Sequence, residues 1–335
     1  MKKTVVLLVG LLLVFFGFSA GAQTQAAPKA LTFKAGTFVV LEGAWGQGMV
    51  RFKELVEKNS NGAMKVELGI GPQLGSDEDM SQQLELNAIQ VYWSGDYLIS
   101  QSVPEWDVFG SPYAIKDSAH LKRVFGSDIG KDIQTRLIQK RGIRVFTDAI
   151  ATRTPRMLWA KSPIKNASDV KNVKMRVPGL KSYVDAWKAV GANVTPVPWP
   201  ELFGALQTGI VDMFEGDIPP VYAMGGWQVC KYMIPTKHIT GPVLVFMNEK
   251  WWKTLNSEQQ GIIQEAAKEA QKLVEKIGYD EEGKFLAEMK TKGVVVVDNV
   301  DVSSFVRAVS GLSAESVKSG RWMPDTFSRI QALRN

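Results

Sequence analysis

The sequence predicts an α/β protein of two domains that one long helix bridges. Three observations support this prediction: strand-like and helix-like segments alternate, the chain has 335 residues, and one amphipathic helix pattern is longer than a small domain. A single hydrophobic core seldom serves more than about 250–300 residues, so two domains are expected. The sequence contains no internal repeat and no low-complexity linker, and we therefore expect the chain to cross between the domains several times.

The first residues, MKKTVVLLVGLLLVFFGFSAGAQ, have the features of a secretory signal peptide. Two lysines precede an apolar run from Val5 to Phe18, and the small residues Ala20-Gly21-Ala22 form a cleavage site. Residues 1–22 are therefore predicted to be a signal peptide, with an uncleaved membrane anchor as the alternative. No later stretch reaches about 18 apolar residues, which predicts a soluble, exported protein in the periplasm or outside the cell.

The first half of the chain alternates between strand and helix patterns. We predict a strand in LTFKAGTFVV, an amphipathic helix in GMVRFKELVEKNS that ends near Gly62, and a second strand in MKVELGI. A helix in DEDMSQQLELN and an extended segment in AIQVYW follow, and a helix containing IGKDIQTRLIQKR leads to the strand GIRVF. This alternation is typical of α/β proteins with largely parallel sheets.

The second half repeats the alternation and then enters the long helix. Strand patterns occur in RMLWA, VKMRV, VCKYMI and PVLVFMN, and helix patterns in SYVDAWKAV and WPELFGALQTG. A capping box at Ser257 opens a helix that runs to about Lys292, with one apolar face formed by Ile262, Ala266, Ala270, Leu273 and Ile277. A helix of about 35 residues is about 50 Å long and should lie across both domains.

Each domain is therefore expected to combine two separate stretches of chain. Domain I is predicted to comprise residues 31–153 and 241–281, and domain II residues 154–240 and 282–335. A chain that passes between two domains at several points is suited to a hinge. This organisation predicts a crevice between the domains.

Composition excludes some classes of partner. The net charge is +6 and falls to +4 once Lys2 and Lys3 leave with the signal peptide. Basic residues are spread among acids rather than clustered, which argues against a nucleic-acid surface and is compatible with an anionic small molecule. The single cysteine, Cys230, cannot form an internal disulfide and is expected to be a small buried residue.

Motifs for catalysis, metals and cofactors are missing. The two histidines, His120 and His238, are far apart and are expected to lie on a helix surface and in a structural position, respectively. The chain has no HExxH, no GxSxG and no Cys/His cluster, and the glycines of GIGPQLG do not have dinucleotide-binding spacing, so no cofactor is predicted. The acids Glu201, Glu215 and Asp217 leave a glycoside hydrolase or lyase as an alternative.

An arginine at the end of a predicted strand is the main candidate for ligand binding. In KMRVPG, Arg176 ends the strand and Pro178-Gly179 break the chain before the next helix. At the carboxyl edge of a strand it would face the crevice, where its planar guanidinium could hold a carboxylate through two hydrogen bonds. An ion pair with Asp169 or Asp185 is the structural alternative, and local sequence does not decide between the two.

Further candidates lie where strands of the first domain give way to helices. They are Trp45 with Glu42 in LEGAWG, Gln73 in GPQLG, and Trp93 with Asp96 in YWSGD. Loops at these positions of an α/β fold commonly carry binding residues, and exposed loop starts are poor places for a core indole.

Several segments together resemble the periplasmic solute-binding subunits of tripartite ATP-independent periplasmic (TRAP) transporters, the dicarboxylate-binding type. The strongest is SPIKNASDVKNVKMRVPGLKSYVDAWKAVGANVTPVPWPELFGALQTGIVD, and FKELVEKNSNGAMKVEL, PEWDVFGSPYAIKDSAHLKRVF and NEKWWKTLNSEQQGIIQEAAKEA follow the same family in order. The resemblance implies a monomeric two-domain clamshell that closes over an organic acid and delivers it to a membrane permease driven by an ion gradient.

The resemblance also implies individual roles. Arg176 falls on the family arginine of the K-x-R-V-P motif, which binds the ligand carboxylate. A second family arginine lies twenty positions upstream, at Arg156, and a small gap would select Arg153 instead. The family aromatic that packs against the ligand falls on Trp199.

The sequence departs from the family at one position. Many members have asparagine where this chain has Gly216, between Glu215 and Asp217. Loss of an amide would open space, so the ligand is expected to be bulkier than a simple dicarboxylate or to offer hydroxyl or amino donors to Glu215 or Asp217. The alternatives are a loop shift at this position, a secreted enzyme, or a binding protein for an ATP-driven permease or a sensor kinase.

Overall fold

The structure of the protein is a computed structural model that describes residues 30–335. The predicted signal peptide, residues 1–22, lies outside the described residues. Within the described part of the chain, no helix is both long and apolar enough to cross a membrane.

Twelve strands are described in residues 30–335, and they form two mixed sheets. In chain order they are β1 (Leu31–Thr37), β2 (Met64–Ile70), β3 (Val91–Ser94), β4 (Ile143–Val145), β5 (Ala151–Thr152), β6 (Met157–Ala160), β7 (Lys174–Val177), β8 (Asn193–Pro196), β9 (Met213–Gly216), β10 (Tyr232–Ile234), β11 (Pro242–Asn248) and β12 (Val295–Val296). The first sheet has the order β2-β1-β3-β11-β4, with β5 beside β11, and the second has the order β12-β10-β6-β9-β7-β8.

Helices cover the faces of both sheets. They are α1 (Ala44–Asn59), α2 (Asp77–Glu85), α3 (Tyr97–Ser102), α4 (Ser118–Gly126), α5 (Asp128–Arg141), α6 (Lys181–Val190), α7 (Leu202–Gln207), α8 (Ile218–Met224), α9 (Glu249–Trp252), α10 (Ser257–Thr291), α11 (Val302–Val309), α12 (Leu312–Lys318) and α13 (Thr326–Ala332). The α/β class with two domains is thus confirmed.

The sheets are less parallel than the sequence predicts. Strand β11 runs antiparallel to β3, β4 and β5, and β6 runs antiparallel to β9 and β10. Both strands enter their sheet directly from the other domain. A parallel strand needs a crossover, usually a helix, that returns the chain to the starting edge, and neither β6 nor β11 has one. The remaining pairs, such as β1 with β2 and β7 with β8, are parallel.

Two extended connections join the domains side by side. Residues 153–156 lead from β5 to β6, and residues 235–241 lead from β10 to β11. The Arg153 amide donates to the Gly241 carbonyl at 2.9 Å, and the Arg156 amide donates to the Ile239 carbonyl at 2.8 Å. The two connections are therefore hydrogen-bonded to each other at the point where the domains meet.

The long helix α10 is a third connection and has the predicted length. Its 35 residues start with a capping box formed by Asn256 and Gln259, one residue before the predicted box at Ser257. It packs against α1 in the first domain and against α8 in the second. The prediction of a helix that bridges both domains is confirmed.

The C-terminal segment does not stay in the second domain, contrary to the predicted boundary. Trp322 and Ile330 belong to the core cluster of the first domain. Arg123 Nε donates to the Leu333 carbonyl at 2.7 Å. His120 is also part of this contact. It is fully buried rather than on a helix surface, and its Nε2 lies 2.8 Å from the Ile330 carbonyl oxygen of the C-terminal segment. Cys230 is buried, as predicted.

The contact between α1 and α10 depends on a small residue at position 48. A Cβ added to Gly48 would collide with Cγ2 of Val274 on α10 and would lie 3.1 Å from the Trp93 ring. We predict that Gly48→Ala lowers the free energy of unfolding by about 1–3 kcal/mol. The reason is that Val274 is β-branched and lies in a helix, so its side chain cannot rotate away from the added methyl group. Thermal or urea unfolding would measure this.

The matched control is Gly261→Ala, because Gly261 lies inside α10 with open space around its Cα. That change should raise the free energy of unfolding by about 0.5–1 kcal/mol, through helix propensity alone. Equal effects of the two substitutions would contradict the close contact between α1 and α10.

Candidate functional site

A cavity of about 950 Å³ lies between the two domains. Residues after β1 and β3 line it from the first domain, and residues after β7 and β9 line it from the second. The ends of strands at such a crevice are the usual ligand site of open α/β sheets. Much of the lining is apolar, and its buried or partly buried charged residues are Arg153, Arg156, Arg176, Asp77, Asp96, Asp217 and Glu281.

Arg176 lies at the cavity and forms no salt bridge with any residue of the described range 30–335. Arg176 is only 2% exposed, and its Nε donates to the Val197 carbonyl at 2.8 Å. Its guanidinium carbon lies over the Trp199 ring, 5.5 Å from the ring centroid. Burial lowers the pKa of Arg176 to about 10. A cation that keeps its charge in this position lacks the compensation that buried charges normally have.

The ion pairs that the sequence offered as an alternative are not formed. Asp169 accepts hydrogen bonds from the Lys165 amide at 2.8 Å and the Asn166 amide at 3.1 Å, and so caps its own turn. Asp185 pairs with Lys181 at 2.8 Å and with Arg321 at 3.2 Å. Within residues 30–335, no salt bridge to Arg176 replaces them.

Arg156 lies near Arg176 and is fully paired. It forms a bidentate ion pair with Glu215, in which Nη2 donates to Oε1 at 2.6 Å and Nε donates to Oε2. The antiparallel register of β6 and β9 places these residues together, since Met157 pairs with Gly216 and Leu158 with Glu215. Burial opposes the charge on Glu215, but Arg156 outweighs it and holds the pKa of Glu215 well below its usual range.

His238 completes this cluster from the second connection between the domains. Its Nε2 lies 3.5 Å from Glu215 Oε2, and its Nδ1 lies 2.8 Å from Thr236 Oγ1. Burial lowers the pKa of His238 although Glu215 acts to raise it. The predicted structural role fits this position, because His238 is 2% exposed and is absent from the cavity lining.

Arg153 also lines the cavity and is paired with Asp217. Arg153 Nε donates to Asp217 Oδ2 at 3.2 Å, and Nη2 donates to Oδ1. The Arg153 guanidinium lies 5.3 Å from the Trp45 ring, and Arg156 Nη1 lies 3.6 Å from Asp217 Oδ1. Both arginines of the sequence alternative therefore face the cavity, and the carboxylates of Glu215 and Asp217 are already engaged by them.

Gly216 does not open the space that its missing side chain suggests. A Cβ added there would lie 2.7 Å from Cγ2 of Val221 and 3.6 Å from Cη2 of Trp199. These two side chains occupy the room beside the glycine. The expectation of extra space at this position is therefore wrong, because α8 and the Trp199 ring pack closely onto β9.

Two carboxyl groups of the first domain complete the cavity wall. Asp77 accepts hydrogen bonds from the Tyr92 hydroxyl at 2.6 Å and from the Ser94 hydroxyl. Asp96 is 6% exposed, and its Oδ2 has no hydrogen-bond partner in the described part of the chain. Desolvation raises the pKa of both carboxyl groups. Asp77 was missed in the sequence because DEDM reads as an ordinary acidic first turn of a helix.

The remaining aromatic and loop candidates differ in their positions. Trp45 and Glu42 line the cavity, as does Trp199 from the opposite side. Gln73 does not line it, because its side chain turns back and donates to the Ile70 carbonyl at 2.8 Å.

Trp93 is a core residue and not a cavity residue, which corrects its assignment as a candidate. It is fully buried between α1 and α10, with its ring 6.0 Å from that of Phe52. Side chains alternate along a strand, so Tyr92 and Ser94 point to Asp77 while Trp93 points to the other face of the sheet.

Two α/β domains that are joined by hydrogen-bonded connections and enclose a charged cavity define a solute-binding protein of the clamshell type. The chain matches the family "Bacterial extracellular solute-binding protein, family 7" over residues 36–319. It belongs to this family, which confirms the resemblance to TRAP solute-binding subunits.

Relatives and solved structures agree with this assignment. The sialic acid-binding periplasmic protein SiaP of Vibrio cholerae is 29% identical over 297 residues, which are 89% of this chain and 91% of that protein. A TRAP solute-binding protein of Roseobacter denitrificans with bound L-galactonate is 26% identical, with a TM-score of 0.83 over 92% of this chain and 99% of that one. One of Polaromonas bound to D-erythronate is also 26% identical, with a TM-score of 0.83 over 91% and 98%.

The ion pair between Arg156 and Glu215 should contribute to stability in a pH-dependent way. Glu215→Gln leaves a buried guanidinium without its countercharge, and we expect it to lower the free energy of unfolding by about 3–5 kcal/mol at pH 7. The pKa of Glu215 is depressed in the folded state, so its stabilisation is present above the ordinary glutamate pKa of 4.5 and is lost as the pH falls further. The difference between wild type and variant should therefore shrink below about pH 4.5.

Urea unfolding at several pH values would measure that difference. Glu269→Gln is the control, since Glu269 forms an exposed pair with Lys272 at 2.6 Å and should change stability by less than about 1 kcal/mol. A pH-independent difference for Glu215→Gln would contradict the assigned charge state.

Proposed function

We propose that this protein captures an organic acid in the periplasm through Arg176 and delivers it to the membrane permease of a TRAP transporter. The observation that carries the proposal is the buried guanidinium of Arg176, which lines the cavity and has no salt bridge within the described residues. A ligand carboxylate would supply the missing countercharge through two parallel hydrogen bonds. The galactonate and erythronate bound by relatives are carboxylates of this kind.

The neighbouring residues have supporting roles in this proposal. Arg156 is neutralised by Glu215 and rigidly held, and it assists Arg176 as a directed hydrogen-bond donor. Arg153 is held by Asp217 in the same way at the junction of the domains. Trp199 covers the Arg176 guanidinium and lines the cavity, so it packs against the body of the ligand.

Closure of the cavity is proposed to use the three connections between the domains. The paired segments 153–156 and 235–241 lie next to the arginines, and α10 spans both domains. A rotation about these connections would bring the first domain onto a ligand held by Arg176. We further propose that the protein acts as a monomer and that residues 1–22 direct it to the periplasm.

A chemical transformation of the ligand is less well supported than binding. Two of the three acids that an enzyme would use, Glu215 and Asp217, are engaged in bidentate pairs with arginines. The third, Glu201, is exposed and does not line the cavity. We therefore propose that the ligand leaves unchanged, and recovery of an intact acid after long incubation with the protein would test this.

Substitution of Arg176 tests the proposed carboxylate site. Arg176→Ala should weaken binding of an acid ligand such as D-galactonate by about 30-fold or more, since an unpaired carboxylate would then be buried. Arg176→Lys should also lose affinity, because an ammonium cannot form the two parallel hydrogen bonds. Isothermal titration calorimetry measures both effects.

The stability of the ligand-free variants separates a binding role from a structural one. Removal of an unpaired buried cation should leave the melting temperature of Arg176→Ala unchanged or raise it, whereas a structural arginine would lower it. Arg51→Ala, at an exposed position on α1, removes the same charge and should change neither property. Unaltered affinity in Arg176→Ala would overturn the proposal.

A further inference from the structure

We propose that residues 107–113 of the first domain, held in place by Arg321, form a fixed pivot about which the two domains rotate when the cavity closes. This segment, the pivot loop, follows the helical turn Pro104–Trp106. Neither the pivot loop nor Arg321 is among the described residues that line the cavity. The inference rests on the proposed closure of the cavity, and it adds a non-covalent contact to the three covalent connections between the domains.

The first observation is a close approach between the backbone of the pivot loop and helix α6 of the second domain. A Cβ added to Gly110 would collide with Oγ of Ser182 and would lie 2.6 Å from Cδ2 of Tyr183. Non-bonded carbon atoms need about 3.5–4.0 Å, so a glycine is what allows the loop to reach the helix. The backbone of one domain therefore lies directly on a helix of the other.

The second observation is a buried polar network at the same contact. The Ser182 hydroxyl donates to Asp107 Oδ1 at 2.8 Å, and both residues are buried. Arg321 Nη1 lies 3.4 Å from Asp107 Oδ2 and 3.2 Å from Asp185 Oδ2, and the Arg321 side chain is 9% exposed. One guanidinium thus holds an acid of the first domain and an acid of the second.

The position of Arg321 in the chain explains how it reaches both domains. It follows α12, whose Ser316 hydroxyl accepts a hydrogen bond from Arg321 Nη2 at 2.6 Å. It directly precedes Trp322, which belongs to the core of the first domain. Helix α12 also packs against α6. Arg321 therefore lies where the C-terminal segment returns from the second domain to the first.

The third observation concerns the other end of the pivot loop. The Tyr113 amide donates at 2.7 Å to the carbonyl of His238, which lies in the connection formed by residues 235–241. The Tyr113 side chain packs against the core cluster of the second domain. Its φ of 63° lies in the left-handed region, which a non-glycine residue adopts where its surroundings hold it there. The loop is thereby tied to a covalent connection as well as to α6.

These contacts favour a fixed pivot over a latch that opens and closes. Closely packed interfaces do not deform continuously, and domains that are joined by short segments rotate about an axis near those segments. The pivot loop is hydrogen-bonded to one such segment. Helix α6 carries Tyr183, which lines the cavity and whose ring centroid lies 5.7 Å from the guanidinium carbon of Arg156. The pivot therefore sets how the first domain meets the arginines of the site.

Distances between spin labels, measured by pulsed electron paramagnetic resonance, test the pivot without any ligand. Gln47→Cys with Gln228→Cys places labels on either side of the cavity, and Lys116→Cys with Lys188→Cys places them beside the pivot loop. All four positions are exposed, whereas the native Cys230 is buried. The distance distribution of the first pair should be the broader one, since rotation changes distances least near its axis.

Two variants release the pivot. Arg321→Gln removes the charge that joins Asp107 to Asp185, and Gly110→Ala pushes the loop off α6, so both should broaden the distribution across the cavity roughly twofold. Arg321→Lys keeps the charge and should restore most of the wild-type width. The affinity for D-galactonate, measured by calorimetry, should fall about 3- to 10-fold in the first two variants, because fewer molecules then have the orientation from which the cavity closes.

Two further substitutions serve as matched controls. Arg307→Gln removes an exposed arginine of α11 that pairs with Asp301 at 3.3 Å, and Gly126→Ala adds a methyl group to α4 of the first domain, where the space is open. Neither should change the label distances or the affinity. All measurements are made below the melting temperature of each variant, because loss of a buried arginine also lowers stability.

The outcomes separate this inference from the proposed function. A purely structural role of Arg321 would lower the melting temperature and leave both distance distributions unchanged, and that result would overturn the pivot. If D-galactonate moves the labels beside the pivot loop as far as those across the cavity, the contact opens and the pivot is wrong. If D-galactonate does not bind to the wild type, that result counts against the proposed function alone, and the ligand-free distributions still decide on the pivot.

Discussion

The buried ion pair between Arg156 and Glu215 is the interaction on which the site depends. Arg156 and Arg176 lie close enough for each charge to oppose the other, and burial adds a further penalty for both. Glu215 counteracts this, since it favours the charged form of Arg176 and stabilises that of Arg156. Because Glu215 neutralises Arg156, Arg176 can remain charged and available at the cavity.

The position of this pair follows from the path of the chain. Arg156 lies in the connection that enters the second domain, and Glu215 lies on β9, which pairs with the first strand after that connection. His238 joins them from the returning connection. The charge arrangement of the site thus lies beside the segments between the domains, and the domain rotation proposed above would occur next to it. Ligand charge and domain closure can therefore influence each other through few residues.

Sequence patterns predicted the elements that have a local signal. The apolar face and the capping residues gave the bridging helix within one residue of its start, and the strand-end position of Arg176 before Pro178 gave the cavity arginine. Trp93 could not be placed in this way, because a four-residue strand buried on both faces does not reveal which face meets the cavity. The direction of β6 and β11 and the return of Ile330 to the first domain depend on long-range packing, for which a single sequence has no local pattern.

The partners of the nearby acids also explain why the local sequence does not show whether Arg176 binds a ligand or forms an ion pair. Whether an arginine binds a ligand or a nearby acid depends on which acids have other partners. Asp169 is used by a turn, Asp185 by Lys181 and Arg321, and Glu215 by Arg156. Lys181 is local to Asp185, but Arg321 and Arg156 reach their acids from distant parts of the chain, so the free charge of Arg176 depends on the whole arrangement. A protein that leaves one buried cation unpaired gives up some stability in the ligand-free state, and an anion that enters the cavity recovers it.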